Sequence, residues 1–151
     1  MFTFGDKSLL SLPKTAFLSS DKFSAGSVLK SYDWAAEMRR QNRCVISGFQ
    51  SKLERDVFGI LLKGTQAIIL VLARGIYAKA PVALKPHVET GRLLIVSPFE
   101  TNVKRITRDL ASERNQCVIS LADEVVVAHV HRGGMLEKTL ENCTKHVMVL
   151  A

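Results

Sequence analysis

The sequence has few cysteines, and it has neither a long apolar run nor a repeat. Its three cysteines, Cys44, Cys117 and Cys143, are far apart and lie within apolar patterns. We therefore expect neither a disulfide framework nor a metal site. No apolar run reaches the roughly 18 residues of a membrane span, and the N-terminus lacks the charged-then-apolar order of a signal peptide. These absences predict a cytoplasmic protein with reduced thiols.

The size and charge of the chain predict one domain with a polar, basic surface. Its 151 residues are 47% hydrophobic, which is enough for one sizeable core. The net charge of +7 is spread over both halves of the chain rather than held in a basic tail. Such a surface either binds polyanions or simply keeps the protein soluble. We expect a single domain over residues 14–151, preceded by an arm, residues 1–13, that packs on the domain or on a partner subunit.

Short apolar segments alternate with helical patterns along the chain. The predicted strands, numbered one to six in chain order, are Lys14–Ser19, Cys44–Ser47, Ala67–Leu72, Leu93–Ser97, Glu124–Ala128 and Val147–Leu150. The predicted helices run from about Gly26 to Asn42, over Ser51–Lys63, over about Val103–Leu121 and over Met135–Lys145. Ser51 and Glu54 have the spacing of a capping box. The inner face of the third helix is predicted to carry Ile106, Leu110, Cys117, Val118 and Leu121.

This alternation predicts the α/β class, with a parallel sheet of five to six strands and helices on both faces. Ligands of such sheets bind beyond the carboxyl ends of the strands, where the strand order reverses. An order 3-2-1-4-5 would place this crevice between strands one and four. Its expected lining is Ser19–Gly26, Ser47–Gln50, Ser97–Thr101 and His129–Gly134, with Arg114 reaching in.

Two adjacent glycines follow the fifth predicted strand and precede a helix. Free backbone N–H groups and the positive end of the helix dipole favour phosphate at such a turn. Gly133 and Gly134 are therefore candidates for a phosphate-facing turn, although a tight turn that needs positive φ explains them as well. Arg114 is either an anion contact or an ordinary surface arginine. The hydroxyls of Ser19 and Ser47 face a ligand or serve as turn residues.

Blocks of sequence along nearly the whole chain resemble the DprA/Smf family of DNA-processing proteins. They read F-L-S-S, V-I-S-G-F, G-R-L-L-I-V-S-P-F, E-R-N, L-A-D-E-V-V-V-A-H and G-G-x-L-E. The resemblance implies a three-layer Rossmann-like fold. The last blocks are also similar to the "lonely guy" nucleotide phosphoribohydrolases, which belong to the same superfamily.

The resemblance and the expected lining of the crevice together give a set of candidate ligand-binding residues. The set is Ser19, Ser20, Gly48, Phe49, Ser97, Arg114, Asn115, Gly133 and Gly134. The chain departs from the family pattern in two loops: Leu18-Ser19-Ser20 stands where the family has Gly-Ser-Arg, and the Arg-Gly pair that follows the second strand is missing. The phosphoribohydrolase pattern Pro-Gly-Gly-x-Gly-Thr-x-x-Glu is also incomplete, so Glu137 is a catalytic candidate only in that reading.

Three functions remain open: a DprA-like protein that binds single-stranded DNA, a binder of free nucleotides, and a nucleotide N-glycosidase. We favour a DprA-like protein that binds a nucleotide or single-stranded DNA, without catalysis, cofactor or metal. A recombinase is a candidate partner, and a homodimer or higher oligomer is expected from the apolar segment Val147–Leu150, which has the character of an exposed edge. Lys22, Arg74, Arg105 and Arg132 either form a cationic rim for a nucleic-acid backbone or are ordinary solvated charges. Trp34 is expected to pack a helix on the sheet, and His129 and His131 are not expected to bind metal.

Overall fold

The computed structural model describes residues 1–150, which form a seven-stranded sheet covered by helices on both faces. The strands are β1 Phe2–Phe4, β2 Lys14–Leu18, β3 Cys44–Ser47, β4 Ile68–Val71, β5 Leu93–Ser97, β6 Glu124–Val127 and β7 Val147–Val149. The helices are α1 Ala25–Arg40, α2 Lys52–Leu62, α3 Lys85–Glu89, α4 Arg108–Leu121 and α5 Met135–Leu140, with a 3₁₀ turn at Lys7–Ser11. No helix within residues 1–150 is long and apolar enough to cross a membrane.

The strand order is β1-β5-β4-β3-β2-β6-β7, and every neighbouring pair is parallel except β1 with β5. The predicted α/β parallel sheet is confirmed, with one strand more than expected. The predicted order 3-2-1-4-5 is wrong, because β5 continues outward beyond β4 and the reversal comes one strand later. The crevice at the reversal therefore lies between β2 and β6, the first and fifth of the predicted strands.

The additional strand comes from the N-terminal arm. Phe2, Thr3 and Phe4 pair with Ser97, Val96 and Ile95 of β5 in antiparallel register. The 3₁₀ turn that follows buries Leu9 in the core. Of the two alternatives for the arm, the structure therefore shows packing on the domain.

The central strands are buried on both faces, as their unbroken apolar runs predict. Successive residues of β2 point to opposite faces of the sheet. Leu18 packs in the core on one face, and Phe17 packs in the core on the other. Trp34 of α1 stacks on Phe17 with 4.9 Å between ring centroids. Trp34 thus packs a helix on the sheet, as predicted.

Two helix boundaries differ from the prediction. The helix predicted from Val103 begins only at Arg108, because the Thr107 side chain caps it by accepting a hydrogen bond from the Leu110 amide at 3.2 Å. Ile106 therefore lies in the preceding loop and is 47% exposed, so its predicted inward position is wrong. The helix α5 ends at Leu140 rather than Lys145. Lys145 instead donates to the carbonyl oxygens of Ile119 (2.6 Å) and Ser120 (2.8 Å) at the end of α4.

Candidate functional site

A cavity of about 700 Å³ opens at the carboxyl ends of the central strands, where the order reverses. Its volume lies within the range of about 300–1,000 Å³ that is usual for ligand pockets. The loops after β2, β3 and β6 and the beginning of α4 form its walls. We call it the main cavity.

The structure brings together most of the residues implicated by the sequence. Those that line the main cavity are Ser19, Ser20, Arg114, Asn115, Gly133 and Gly134. Gly48 and Phe49 line a smaller neighbouring groove of about 260 Å³, which we call the second groove. Ser97 lines neither of them. Ser97 lies away from the cavity because β5 is three strands from β2. Its hydroxyl donates to the Arg74 carbonyl oxygen and accepts from the Phe99 amide at 3.1 Å.

Arg114 is the central charged group of the site, and it is only 4% exposed. Its Nε donates to Asn115 Oδ1 at 2.8 Å, and its Nη2 donates to Gln50 Oε1 at 3.0 Å. Within residues 1–150, Nη1 has no protein acceptor and no carboxylate lies at ion-pair distance. Burial lowers the pKa of Arg114, and the nearby Glu54 opposes that shift. An arginine stays charged nonetheless, so the site holds a buried cation without a directly paired anion.

Gly48 explains how the guanidinium fits at the end of β3. A Cβ atom at this position would overlap Cζ, Nη1 and Nε of Arg114. Glycine is therefore required by the close approach of the arginine to the backbone, and not by a positive φ. The match of Gly48 to the family pattern thus has a local physical reason.

Glu54 ties two walls of the main cavity together, and the sequence did not identify it as a site residue. Its side chain is buried, with Oε2 accepting from the Ser19 amide at 3.0 Å. Oε1 accepts from the amides of Gln50 at 3.0 Å and Ser51 at 3.2 Å. The capping-box spacing was the available signal, since it predicts the bond to Ser51. The Ser51 hydroxyl itself is buried at the cavity and has no hydrogen-bond partner within residues 1–150.

The two serines after β2 shape the backbone of the loops. The amide of Ser20 donates to the His129 carbonyl oxygen at 3.0 Å, and its hydroxyl accepts from the His131 amide at 2.8 Å. The Ser19 hydroxyl donates to the Ser20 carbonyl oxygen at 3.1 Å. These bonds fix the loop after β2 against the loop after β6. The Ser47 hydroxyl likewise accepts from the Phe49 amide at 3.0 Å, which is the turn role.

The glycine pair has two different conformations. Gly133 has a φ of 79°, which supports the tight-turn reading, whereas Gly134 has an extended backbone and caps α5. The Gly133 amide donates to Glu137 Oε1 at 3.2 Å. Glu137 is exposed and does not line the main cavity. In this structure the carboxylate of Glu137 therefore caps the glycine turn.

The electrostatics of the main cavity favour an anion. The N-caps of α2 and α4, Ser51 and Thr107, both lie in its wall, so two helix dipoles direct their positive ends towards it. The charged residues of the lining are Lys22, Arg108, Arg114, Asp21 and Glu54. Of the rim predicted from the sequence, Lys22 lines the main cavity and Arg74 lines the second groove. Arg105 and Arg132 are exposed and line neither.

The side chains that could bind a metal ion do not cluster in the part of the chain that the structure describes. Within residues 1–150, His, Cys, Asp and Glu side chains nowhere gather in a group of three or more that could hold a metal ion. His131 lies in the wall of the main cavity, and its backbone amide makes the bond to Ser20.

The parallel sheet, with its cavity at the reversal of strand order, defines an α/β protein of the Rossmann-like class. Within that class, the chain belongs to the DNA recombination-mediator protein A family, whose model matches residues 1–149. The resemblance to the DprA/Smf family is thereby confirmed. No curated protein matches the chain.

Solved structures with the same fold include two DNA processing proteins. The chain is similar to DNA processing protein A of Helicobacter pylori, with a TM-score of 0.75, 18% identity, and coverage of 97% of this chain and 69% of the other. That structure is described by its single-stranded DNA binding mode. The Streptococcus pneumoniae protein gives a TM-score of 0.76 and 19% identity, with coverage of 98% of this chain. The chain spans only 53% of the length of that protein.

A more distant likeness extends to a protein with a different ligand. The molybdenum cofactor binding protein of Rippkaea orientalis has a TM-score of 0.58 and 12% identity, with coverage of 91% of this chain and 76% of the other. At these identities the structural matches show the fold alone.

Proposed function

We propose that the main cavity binds the phosphodiester backbone of single-stranded DNA, and that the protein acts in DNA processing in the cytoplasm without catalysis. Membership of the recombination-mediator family supports this proposal. So does the single-stranded DNA binding mode described for the Helicobacter pylori protein, which shares the fold. The proposal also includes a recombinase partner and a homodimer, and anion binding in the cavity requires neither of them.

The buried guanidinium of Arg114 is the strongest support for this proposal. A buried charge is costly unless an opposite charge or hydrogen bonds compensate for it. Asn115 and Gln50 accept from two of its nitrogens, whereas Nη1, which lies against Gly48, has no acceptor within residues 1–150. A phosphate oxygen is the acceptor that such a guanidinium binds best, because the hydrogen bond is charge-assisted.

The charge of the main cavity suits a phosphate group. Three cationic side chains line it, together with the two carboxylates of Asp21 and Glu54, which leaves a surplus of one positive charge. The N-termini of α2 and α4 add about half a positive charge each. Family membership, and not this charge balance, favours a DNA strand over a free nucleotide.

Arg114→Ala should weaken the binding of a fluorescent oligothymidylate by roughly 10- to 100-fold, because charge-assisted hydrogen bonds are worth about 1.5–3 kcal/mol. Fluorescence anisotropy at several salt concentrations measures this change. The slope of log Kd against log salt should fall by about one, since one phosphate contact is lost.

The matched control is Arg43→Ala. Arg43 is exposed and lies at the opposite, amino end of the strands, beside Glu124. Its loss should leave the Kd within about twofold of the wild-type value, because solvent screens an exposed charge so far from the cavity. An unchanged affinity of Arg114→Ala for every oligonucleotide and nucleotide tested, with a native melting curve, would contradict the proposal.

A further inference from the structure

We infer that the second groove is a base-binding subsite for the nucleotide next to the phosphate at Arg114, so that the protein recognises a strand of at least two nucleotides. This inference rests on the proposed function and adds a second contact to it. The groove is lined by residues of α2 and of the loops after β3 and β4. Its lining includes Phe49, Arg55, Phe58, Arg74, Tyr77 and Ile106.

Aromatic rings give the second groove its stacking surface. Phe58 and Tyr77 are half-buried in its wall, and neither lines the main cavity. Phe49 stacks against Phe58 with 4.4 Å between centroids and 17° between planes. Phe49 is buried, so it holds the Phe58 ring on a packed support. Nucleobases stack on such rings without regard to sequence.

The charge of the second groove is positive only. Arg55, Arg74 and Arg114 line it, and no carboxylate does. Neither Arg55 nor Arg74 has an ion-pair partner within residues 1–150. The Arg74 guanidinium lies 4.8 Å from the centroid of the Tyr77 ring, and it donates through Nε to the Gly75 carbonyl oxygen at 3.1 Å. A planar cation beside an aromatic ring suits a base together with its phosphate.

The two cavities are neighbours that share three lining residues. Gln50, Ile106 and Arg114 line both of them. A phosphate bound by Arg114 therefore has the main cavity on one side and the second groove on the other. Ile106 lies at this division and is 47% exposed, although it is a large apolar residue. An apolar side chain there can separate two successive bases of a single strand, and a base on either side would cover it.

These features select one occupant from the ligands that an anion site accepts. Inorganic phosphate or a mononucleotide would use Arg114 and leave the aromatic rings uncovered. An acidic peptide would satisfy the arginines without using the ring faces. A single strand uses both, since its charges and its aromatic bases alternate along the chain.

The first experiment measures the contribution of one base. A trithymidylate and the same trinucleotide with one abasic residue, placed at each position in turn, are titrated by anisotropy against wild type, Tyr77→Leu and Phe58→Leu. The wild type should lose roughly 5- to 100-fold in affinity at one of the abasic positions, as expected when one stacked base is removed. Each variant should bind the intact strand more weakly and should show little further loss at that position.

A direct readout of stacking complements the affinities. A strand with 2-aminopurine at the sensitive position should be quenched on binding to the wild type and should stay bright on Tyr77→Leu. Phe4→Leu is the matched control, because Phe4 is a half-buried aromatic residue of β1 that lines neither cavity. It should retain both the wild-type quenching and the wild-type abasic penalty.

The outcomes separate this inference from the proposed function. If the wild type binds the strand through Arg114 and the abasic penalty is the same in Tyr77→Leu, in Phe58→Leu and in the wild type, the second groove is not a base site. If no strand binds the wild type at all, the proposed function fails first. Tyr77→Leu keeps the test available if Phe58→Leu fails to fold, because Tyr77 lies in a loop.

Discussion

At the residue scale, the close approach of Arg114 to Gly48 positions the guanidinium at the main cavity. Arg114 and Gly48 were separate candidates, and only the fold shows that one packs on the other. Ser97 was chosen because the expected order 3-2-1-4-5 placed its strand beside the first predicted strand, whereas in the structure β5 lies three strands away from β2. Glu54 was read as a helix cap, because its bond to the Ser19 amide depends on tertiary structure.

Gly48→Ala tests the contact between the backbone and the arginine. The added methyl group should displace the Arg114 guanidinium, weaken oligonucleotide binding about as much as Arg114→Ala does, and destabilise the protein by roughly 1–3 kcal/mol. Anisotropy and urea denaturation measure the two effects.

The control is Gly59→Ala in α2. A Cβ at Gly59 meets nothing within 4 Å. This change should therefore leave binding intact and should stabilise the helix by roughly 0.5–1 kcal/mol. Wild-type affinity in Gly48→Ala would show that the arginine binds equally well from another position.

At the element scale, hydrophobic spacing located every strand of the parallel sheet but misplaced two helix ends. Val103, Ile106 and Leu110 continue the helical spacing backwards, so periodicity alone extends α4 too far. The competing signal was the Thr107 cap, whose single hydrogen bond fixes the first turn. Between helices, α1 and α2 are joined by the Tyr32 hydroxyl, which donates to Asp56 Oδ2 at 2.7 Å.

Tyr32→Phe should lower the free energy of unfolding at neutral pH by about 0.5–1.5 kcal/mol, the net worth of one hydrogen bond. Hydrogen bonds from Lys52 and then from Tyr32 hold the pKa of Asp56 below its usual value. A carboxylate with a lowered pKa stabilises the fold above its unfolded pKa of about 3.9, and that stabilisation is lost as the pH falls through the lowered value.

The free energies of unfolding of the wild type and Tyr32→Phe, measured by urea denaturation, should therefore differ at pH 7, and the difference should narrow as the pH falls from the unfolded pKa of about 3.9 through the lowered native pKa. Tyr77→Phe is the control, since within residues 1–150 the Tyr77 hydroxyl has no acceptor, and its stability should equal that of the wild type. If the difference in free energy of unfolding between the two proteins stays constant down to pH 2, the Asp56 carboxylate is not the relevant acceptor.

At the scale of the whole molecule, the class of fold was predictable and the strand order was not. Apolar runs without polar alternation predict a parallel sheet with two covered faces, whatever the order of its strands. The order depends on where each crossover returns, and the connection from β4 to β5 carries only the short helix α3. The N-terminal arm joined the sheet through three residues, which are too few for a periodic signal.

We predict a homodimer formed through β7, the outermost parallel strand, where Met148 and Val149 are 43% and 50% exposed. His146 and Leu150 bond towards β6, so by alternation the Val149 N–H points outward. Val149→Pro removes that donor without removing a bond to β6, and it should convert a dimer into a monomer.

Light scattering measures the mass of both proteins, and Val149→Thr is the control that keeps the outward N–H group. A monomeric wild type at micromolar concentration would contradict the prediction of a dimer. A dimer that persists in Val149→Pro would show that the subunits meet through another surface.

The pairing of β1 with β5 has a practical consequence for the termini of the chain. Phe2 lies opposite Ser97, at the carboxyl end of β5, and Val149 lies opposite Val127, at the carboxyl end of β6. Both termini thus leave the sheet along the edge where the main cavity opens. A polypeptide appended after β7 would start two strands from β2, and one appended before β1 would start four strands from it, along the same edge of the sheet. A fluorophore coupled to either terminus would therefore report an arriving strand by energy transfer from a different distance.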